Sequence, residues 1–427
     1  MKLYPQTFER RDGLCYIGGI SIKDLVQKYY TPLYIVCAQT VKSRVESFKE
    51  SFKKYLPFES RIAFAGKSLC VTGFLKKLKE LDTWLDVVSG GELYTAIKAG
   101  FDMKRIYFHG NNKSFEELEF AIKSNVGYIV VDGFSEIEKI RELSKKYNYI
   151  PCMIRISPGI EAHTHEFIKT GKIDSKFGFP IGEDAIKAVK ELSSIDSVKF
   201  KGIHAHIGSQ IFDSKPYVEL VNVMFDFANK LNNEGFTLEN INFGGGFGIA
   251  YTEEDYPLSI EEFVKDISLE IVKNMKKYSM KDLAFTVEPG RSIAGPSGIT
   301  VYRVGSIKKI NGFVPYVAVD GGMADNPRYA LYKAKYHAEL DEKTEIFQEV
   351  KIVGRFCESG DMLIEKIMLP EVNVGDLLLV FATGAYNYSM ASNYNRFGRP
   401  AMVMVEDGKD TLIVRRETYE DIVSHDM

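Results

Sequence analysis

From residue 61 to residue 287 the chain alternates between short apolar runs and amphipathic stretches. The runs fall at 61–65, 84–88, 105–109, 127–131, 151–156, 198–205, 240–243 and 284–287. Each ends in a glycine or polar tip and has the length of a buried strand. Between them, apolar positions three and four apart predict helices over 91–99, 115–124, 135–146, 183–192, 218–232 and 260–278. Eight strands with helices between them, over about 230 residues, match a parallel (β/α)8 barrel better than an open sheet.

The flanks read differently. Upstream, strands are predicted at 14–17 and 32–36 and a helix at 22–30. Thr40 then has the chemistry of an N-cap for a helix whose buried face carries Val41, Val45, Phe48 and Phe52. Downstream of Gly295, valine-rich runs at 299–304, 314–319, 347–353, 377–381 and 401–405 follow one another with few helical signals. Val405-Glu406-Asp407-Gly408-Lys409-Asp410 is a hairpin signature. The expected architecture is α/β: an N-terminal segment, 1–34, joining a β domain; a (β/α)8 barrel over 35–294; and a mostly β C-terminal domain over 295–427.

Composition narrows the function classes. A chain of 427 residues exceeds one typical core. Its 45% hydrophobic and 26% charged residues are ordinary for a soluble globular protein. The net charge is −3 and the lysines are dispersed among glutamates, which argues against nucleic acid or an anionic membrane as partner. No apolar run approaches a membrane span, and the first residues lack a signal-peptide core. Five scattered cysteines without C-x-x-C spacing fit a reducing cytoplasm better than a disulfide framework or zinc site.

In barrels of this kind the chemistry sits at the C-terminal ends of the strands. Those ends carry Lys67, Asp86, His109, Arg155, His204, His206, Gly244-Gly245-Gly246 and Glu288-Pro289-Gly290-Arg291. A lysine at a buried strand end is expected to lose proton affinity by desolvation, leaving a neutral amine able to condense with an aldehyde. Three successive glycines let backbone N–H groups approach a phosphate, although a tight turn alone also calls for them. Glu288 can hold a pyridine nitrogen in its protonated form, or it can simply pair with Arg291. His206 suits ring stacking or a core position. His204-Ala205-His206 and His163-Thr164-His165 permit a metal by spacing, but the lysine on the first strand speaks against it, and no metal is expected. Amine, phosphate cradle, carboxylate and histidine together suit pyridoxal 5'-phosphate (PLP).

The motifs FAGKS, DVVSGGEL, HIGSQ, GGGFGIAY, EPGRSIAG, DGGMADNPRYALY, CESGD and GAYNYSMASNYN resemble those of the diaminopimelate decarboxylases. These are PLP enzymes of the alanine-racemase-like, barrel-plus-β class. The resemblance spans about residues 30 to 400. It implies Lys67 as the cofactor's covalent attachment, His206 stacked on its ring and Glu288 at its nitrogen. Ser209, the backbone of Gly245 and Gly246, and Tyr386 would hold the phosphate, with Gly290 and Arg291 completing the cofactor loop. Asp86 and Arg155 would support the ring face and the lysine. Cys357, from a second subunit, would protonate the carbanion, so a homodimer with shared sites is expected. Arg291, Arg328, Tyr332 and Tyr386 would contact substrate, the arginines and Tyr332 through its carboxylates, and Glu358 its distal ammonium.

The implied reaction is decarboxylation of meso-2,6-diaminopimelate to L-lysine, the last step of lysine biosynthesis. A planar guanidinium recognises a carboxylate bidentately, so an enzyme for ornithine, lysine or arginine would leave Arg328 without its partner. A racemase of the same fold needs a second base and releases no CO2, and a non-enzymatic decoy has no need of Lys67 or Cys357. The chain departs from the family around its lysine. Phe64, Gly66 and Ser68 stand where a tyrosine, a non-glycine residue and an alanine are more usual, and Phe64 is expected to remove a hydroxyl near the cofactor.

Overall fold

The computed structural model describes residues 3–160, 175–342 and 346–427. Its residues fall into two compact units. One comprises Arg44–Gly248 and Pro257–Ser292, the other Met1–Ser43, Ile249–Tyr256 and Ile293–Met427. His163 and His165 lie outside the described residues.

The first unit is a closed parallel barrel. Its strands are Ser60–Ala65, Trp84–Val87, Ile106–Phe108, Tyr128–Val131, Ile150–Ser157, Val198–Ala205, Asn240–Asn242 and Ala284–Val287. Each pairs in parallel with the next. The last pairs back onto the first through Phe285–Ser60, Thr286–Arg61 and Val287–Ile62. Closure removes both sheet edges, and alternate residues of every strand point inward. The interior is layered. Near the strand starts, Arg61 lies 4.4 Å over the Trp84 ring and donates to Tyr128 Oη at 2.7 Å. One layer higher, Tyr107 Oη, Asn240 Nδ2 and Thr286 Oγ1 hydrogen-bond at 2.9 Å. Two residues further along the same strands come His109, Asn242 and Glu288. The strand period therefore carries the inward-facing positions up to the site.

Helices pack outside by burying one apolar face each. Ser114 and Ser259 start two of them, Phe115–Lys123 and Ile260–Lys277, with reciprocal capping boxes to Glu117 and Glu262. Thr40 is not an N-cap. Strand Leu33–Cys37 runs directly into helix Ala38–Tyr55, which leaves Thr40 inside the first turn. Its hydroxyl instead accepts from Gln6 N at 2.8 Å.

The second unit is mostly strand, ordered Met362–Pro370, Phe347–Val353, Tyr316–Val319, Gly298–Lys308, Leu33–Cys37, Ala401–Glu406 and Lys409–Val414. Leu377–Phe381 also pairs with Gly298–Lys308, whose pairing with Tyr316–Val319 shifts register between Val304 and Ser306. Leu33–Cys37 lies in mid-sheet, antiparallel to 298–301 and parallel to 401–405. The first residues are fastened to this unit by side chains. Tyr4 and Arg10 both donate to Glu339, Arg10 at 2.9 Å, and Tyr4 packs edge-on to Phe381 at 4.9 Å. Among the described residues, no helix is long and apolar enough to cross a membrane.

Candidate active site

In the barrel, Lys67 does not occupy the strand end itself. It sits on the single 3-10 turn Gly66–Ser68 that follows the strand, and its side chain is exposed. The strand stops at Ala65, two residues before the lysine. Gly66 permits that turn, since a Cβ there would come within 2.8 Å of the Asp86 carbonyl oxygen. Gly290 serves the opposite side. A Cβ on it would lie 2.9 Å from both Ala65 Cβ and Ser68 Oγ, so only glycine lets the Pro289-Gly290 loop close on the lysine turn. Ser68 spends its hydroxyl on Ala65 O at 2.8 Å. Phe64 faces the helix layer, where its ring meets Phe74 at 5.3 Å, so its missing hydroxyl does not face the barrel interior.

Around this turn the barrel gathers charge. Lys67 acts electrostatically on Asp86, Glu92 and His206. Burial raises Asp86 to about 6, against the opposing charges of His109, Lys67 and Arg155. Its Oδ1 is buried without a hydrogen bond. Burial likewise raises Glu92 to about 7, although Val88 N donates to it at 2.8 Å. Arg155 lies 4.3 Å from the Phe177 ring, with its Nε 3.9 Å from Asp132, and burial lowers its affinity for its proton.

Glu288 is the best-held carboxylate of the set. His109 Nε2 and Asn242 Nδ2 donate to Oε1 at 2.9 and 2.7 Å, and His204 Nε2 donates to Oε2 at 3.0 Å. Burial pushes Glu288 up, but the two histidines outweigh it and hold the group well below the ordinary carboxylate range. Their three donor and acceptor atoms lie within 4.8 Å of one another. His204 and His206 do not converge as the H-x-H spacing allows, because His206 turns Nδ1 to accept from Gly245 N at 3.2 Å. Burial, then Lys67 and Arg155, drive His206 well below its usual value, so it presents a neutral ring.

The glycine run has structural reasons of its own. Cβ atoms would sit 2.0 Å from Glu288 O at Gly245 and 2.3 Å from Gly208 O at Gly246, and Gly246 has φ +111°. Tyr217 Oη closes the turn by donating to Gly245 O at 2.9 Å. Ser209 Oγ accepts from Arg291 Nη2 at 3.2 Å, which brings two of the expected site residues together.

In the β unit, Arg328 opens the short helix Arg328–Tyr332 and is buried. Its guanidinium lies 4.5 Å over the Tyr251 ring and donates from Nη1 to Tyr336 Oη at 2.8 Å. Burial works against its charge, and Tyr251, Tyr336 and Tyr386 more than offset that. Tyr332 ends the same helix and is half-buried. Tyr386 has φ +62°, a left-handed conformation that costs a non-glycine residue about 1–2 kcal/mol. Cys357 and Glu358 lie on an exposed loop, with Cys357 N donating to Asn395 Oδ1 at 2.8 Å and Tyr394 Oη to Glu358 at 3.2 Å.

PLP fits the barrel set chemically. An accessible amine stands at the strand ends, beside a carboxylate held ionised, a neutral imidazole ring and a buried Asp86 oxygen that still lacks a donor. The closed barrel and this set define the class, a PLP-dependent decarboxylase, and residues 38–295 match the family model "Pyridoxal-dependent decarboxylase, pyridoxal binding domain". The diaminopimelate decarboxylase of Bacillus subtilis is 45% identical to the chain, covering 100% of it and 98% of the relative. The crystal structure of the M. jannaschii diaminopimelate decarboxylase with L-lysine matches with a TM-score of 0.93 at 34% identity, over 99% of this chain and 98% of the other. That from Helicobacter pylori, also with L-lysine, matches with a TM-score of 0.87 at 32% identity, over 94% and 98%. The chain belongs to the diaminopimelate decarboxylase family.

Sequence reasoning placed His109 and His204 at strand ends, gave His109 no task and His204 only a metal role that it set aside, and it passed over Asn242, Tyr251 and Tyr336. A signal for Asn242 was present: with Asn240 it alternates with the apolar Ile241 and Phe243, which puts two amides on the inward face of the strand.

Proposed function

We propose that this chain decarboxylates meso-2,6-diaminopimelate to L-lysine and CO2. The observation that carries the choice of substrate is Arg328. The residue is 6% exposed, and among the described residues no carboxylate pairs with its guanidinium. A buried cation held by hydroxyl and ring contacts alone is poised for an anionic ligand. The distal carboxylate of diaminopimelate supplies one, whereas ornithine and lysine do not.

Lys67 would hold the cofactor through its side-chain amine. Bound PLP supplies an electron sink for the bond that breaks as CO2 leaves. His206, neutral and fixed by Gly245 N, packs its ring on the cofactor, while Asp86 and Arg155 set the charge around the lysine. Ser209, the backbone of Gly245 and Gly246, and Tyr386 bind the phosphate, with Gly290 and Arg291 shaping the loop beside it. Arg291, Arg328 and Tyr332 orient substrate carboxylates, Glu358 takes the distal ammonium, and Cys357 returns a proton to the carbon that lost CO2. The exposure of Cys357 and Glu358 on a single chain supports their service in a partner's site, and hence a homodimer. Five free cysteines support a cytoplasmic location.

The test is CO2 release by PLP-loaded protein from diaminopimelate, lysine, ornithine and arginine. Diaminopimelate should be strongly preferred, and Arg328→Ala should lower its kcat/KM by about 10²-fold or more while changing lysine turnover little. Equal release from ornithine by the unsubstituted protein would refute the substrate assignment.

A further inference from the structure

The carboxylate of Glu288 has about four lone-pair sites. His109 and Asn242 take both sites on Oε1, and His204 takes one on Oε2. These donors come from three different strands or strand ends, and His109, His204, Asn242 and Glu288 are 4%, 1%, 0% and 5% exposed. Their orientations are fixed by further bonds. Asn242 Oδ1 accepts from Gly244 N at 2.9 Å, so its Nδ2 must face Glu288. Glu288 N in turn donates to Gly244 O at 2.8 Å. His204 Nδ1 has no hydrogen-bond partner, so its one ring proton belongs on Nε2.

We propose that His109, His204 and Asn242 are positioning residues for the cofactor's ring nitrogen. They fill three of the four lone-pair sites of Glu288 and leave one, on Oε2, to hold the proton of that nitrogen. This rests on the PLP reading above. The number of donors decides where a shared proton sits, because each one makes the carboxylate a weaker base. A carboxylate with three donors leaves the proton on the ring nitrogen, where it is needed for electron withdrawal, whereas one with fewer donors draws it away. The surrounding charges act in the same network: Asp86 and Arg155 on His109, Arg155 on His204, and Lys67 on Asp86 and His206. Burial takes His204 down to about 3, so it donates as a neutral ring, while Glu288 and Asp86 raise His109 despite its burial.

The experiment is nitrogen NMR of the full-length protein loaded with PLP labelled with 15N in its ring. The unsubstituted protein should show a protonated ring nitrogen. His109→Leu and His204→Leu should each move the signal toward the unprotonated position and weaken PLP binding about tenfold. His109→Gln and His204→Gln, which restore an N–H donor, should move it back. Asn242→Ser withdraws one donor by shortening the side chain; it carries the same expectation and decides the matter if the leucine variants do not fold. An unchanged nitrogen signal in the donor-deleted variants overturns the proposal while leaving the cofactor reading intact. Failure of the unsubstituted protein to bind PLP overturns both.

Discussion

Arg328 is held on one side by the Tyr251 ring and on the other by the Tyr336 hydroxyl, and that hydroxyl also lies 3.4 Å from Asn387 Oδ1. Tyr336 thus fixes the angle of the guanidinium fork without any need to touch substrate. Removing a buried hydrogen bond to a charged group costs roughly 1.5–3 kcal/mol, so Tyr336→Phe should raise KM for diaminopimelate by about tenfold or more. Steady-state kinetics should find kcat much less affected, and a fall in kcat with KM unchanged would contradict this role. At this scale the sequence was legible where a side chain's chemistry is carried by its position along a strand, as with Glu288 and Arg155. It misled where one residue of backbone changes direction. Lys67 was expected at the buried strand end because residues 61–65 are apolar, but the strand stops at Ala65 and the lysine sits exposed on the turn that follows. No single-residue pattern announces a 3-10 turn. The pairing of Arg328 with Tyr336 was hidden for a different reason: Tyr251, the third member, lies far off in the chain.

At the scale of elements, Glu339 on strand Ala338–Leu340 gathers the start of the chain. Burial pushes its carboxyl up, but hydrogen bonds from His337, Tyr4 and Arg10 outweigh that and bring it to about 2. The folded group therefore titrates below its ordinary value of 4.5. Its stabilisation is complete above pH 4.5 and vanishes as pH falls through 2. Glu339→Gln should cost roughly 1–2 kcal/mol at pH 7, allowing for solvent screening, and almost nothing near pH 2. Urea melts at several pH values read this directly, and parallel curves for the two proteins would disprove it. Elements with a strong period were legible: all eight barrel strands lie within two residues of the apolar runs. Met362–Pro370 was not among the predicted strands, because Glu365 and Lys366 interrupt its apolar residues and half of it faces outward. The start of helix Ala38–Tyr55 was misplaced because no loop separates it from the strand before.

For the whole molecule, the exposed loop of Cys357 and Glu358 makes assembly testable. If each site draws on two chains, Lys67→Ala and Cys357→Ala proteins are each inactive, yet mixing them should restore about a quarter of the normal activity. Random exchange makes half the dimers mixed, with one intact site in each. No recovery after exchange, verified by tagged subunits, would place lysine and cysteine on one chain. Another consequence lies in the order of synthesis. The barrel strands all fall between residues 60 and 287, so they can pair as soon as that stretch has left the ribosome. Leu33–Cys37 leaves first but belongs in mid-sheet, and its second neighbour is Ala401–Glu406. For roughly 20–70 s of elongation this apolar strand has an open hydrogen-bonding edge. A nascent chain halted before residue 401 keeps that edge exposed, so interrupted products carry a built-in mark for chaperones and proteases that the finished chain conceals.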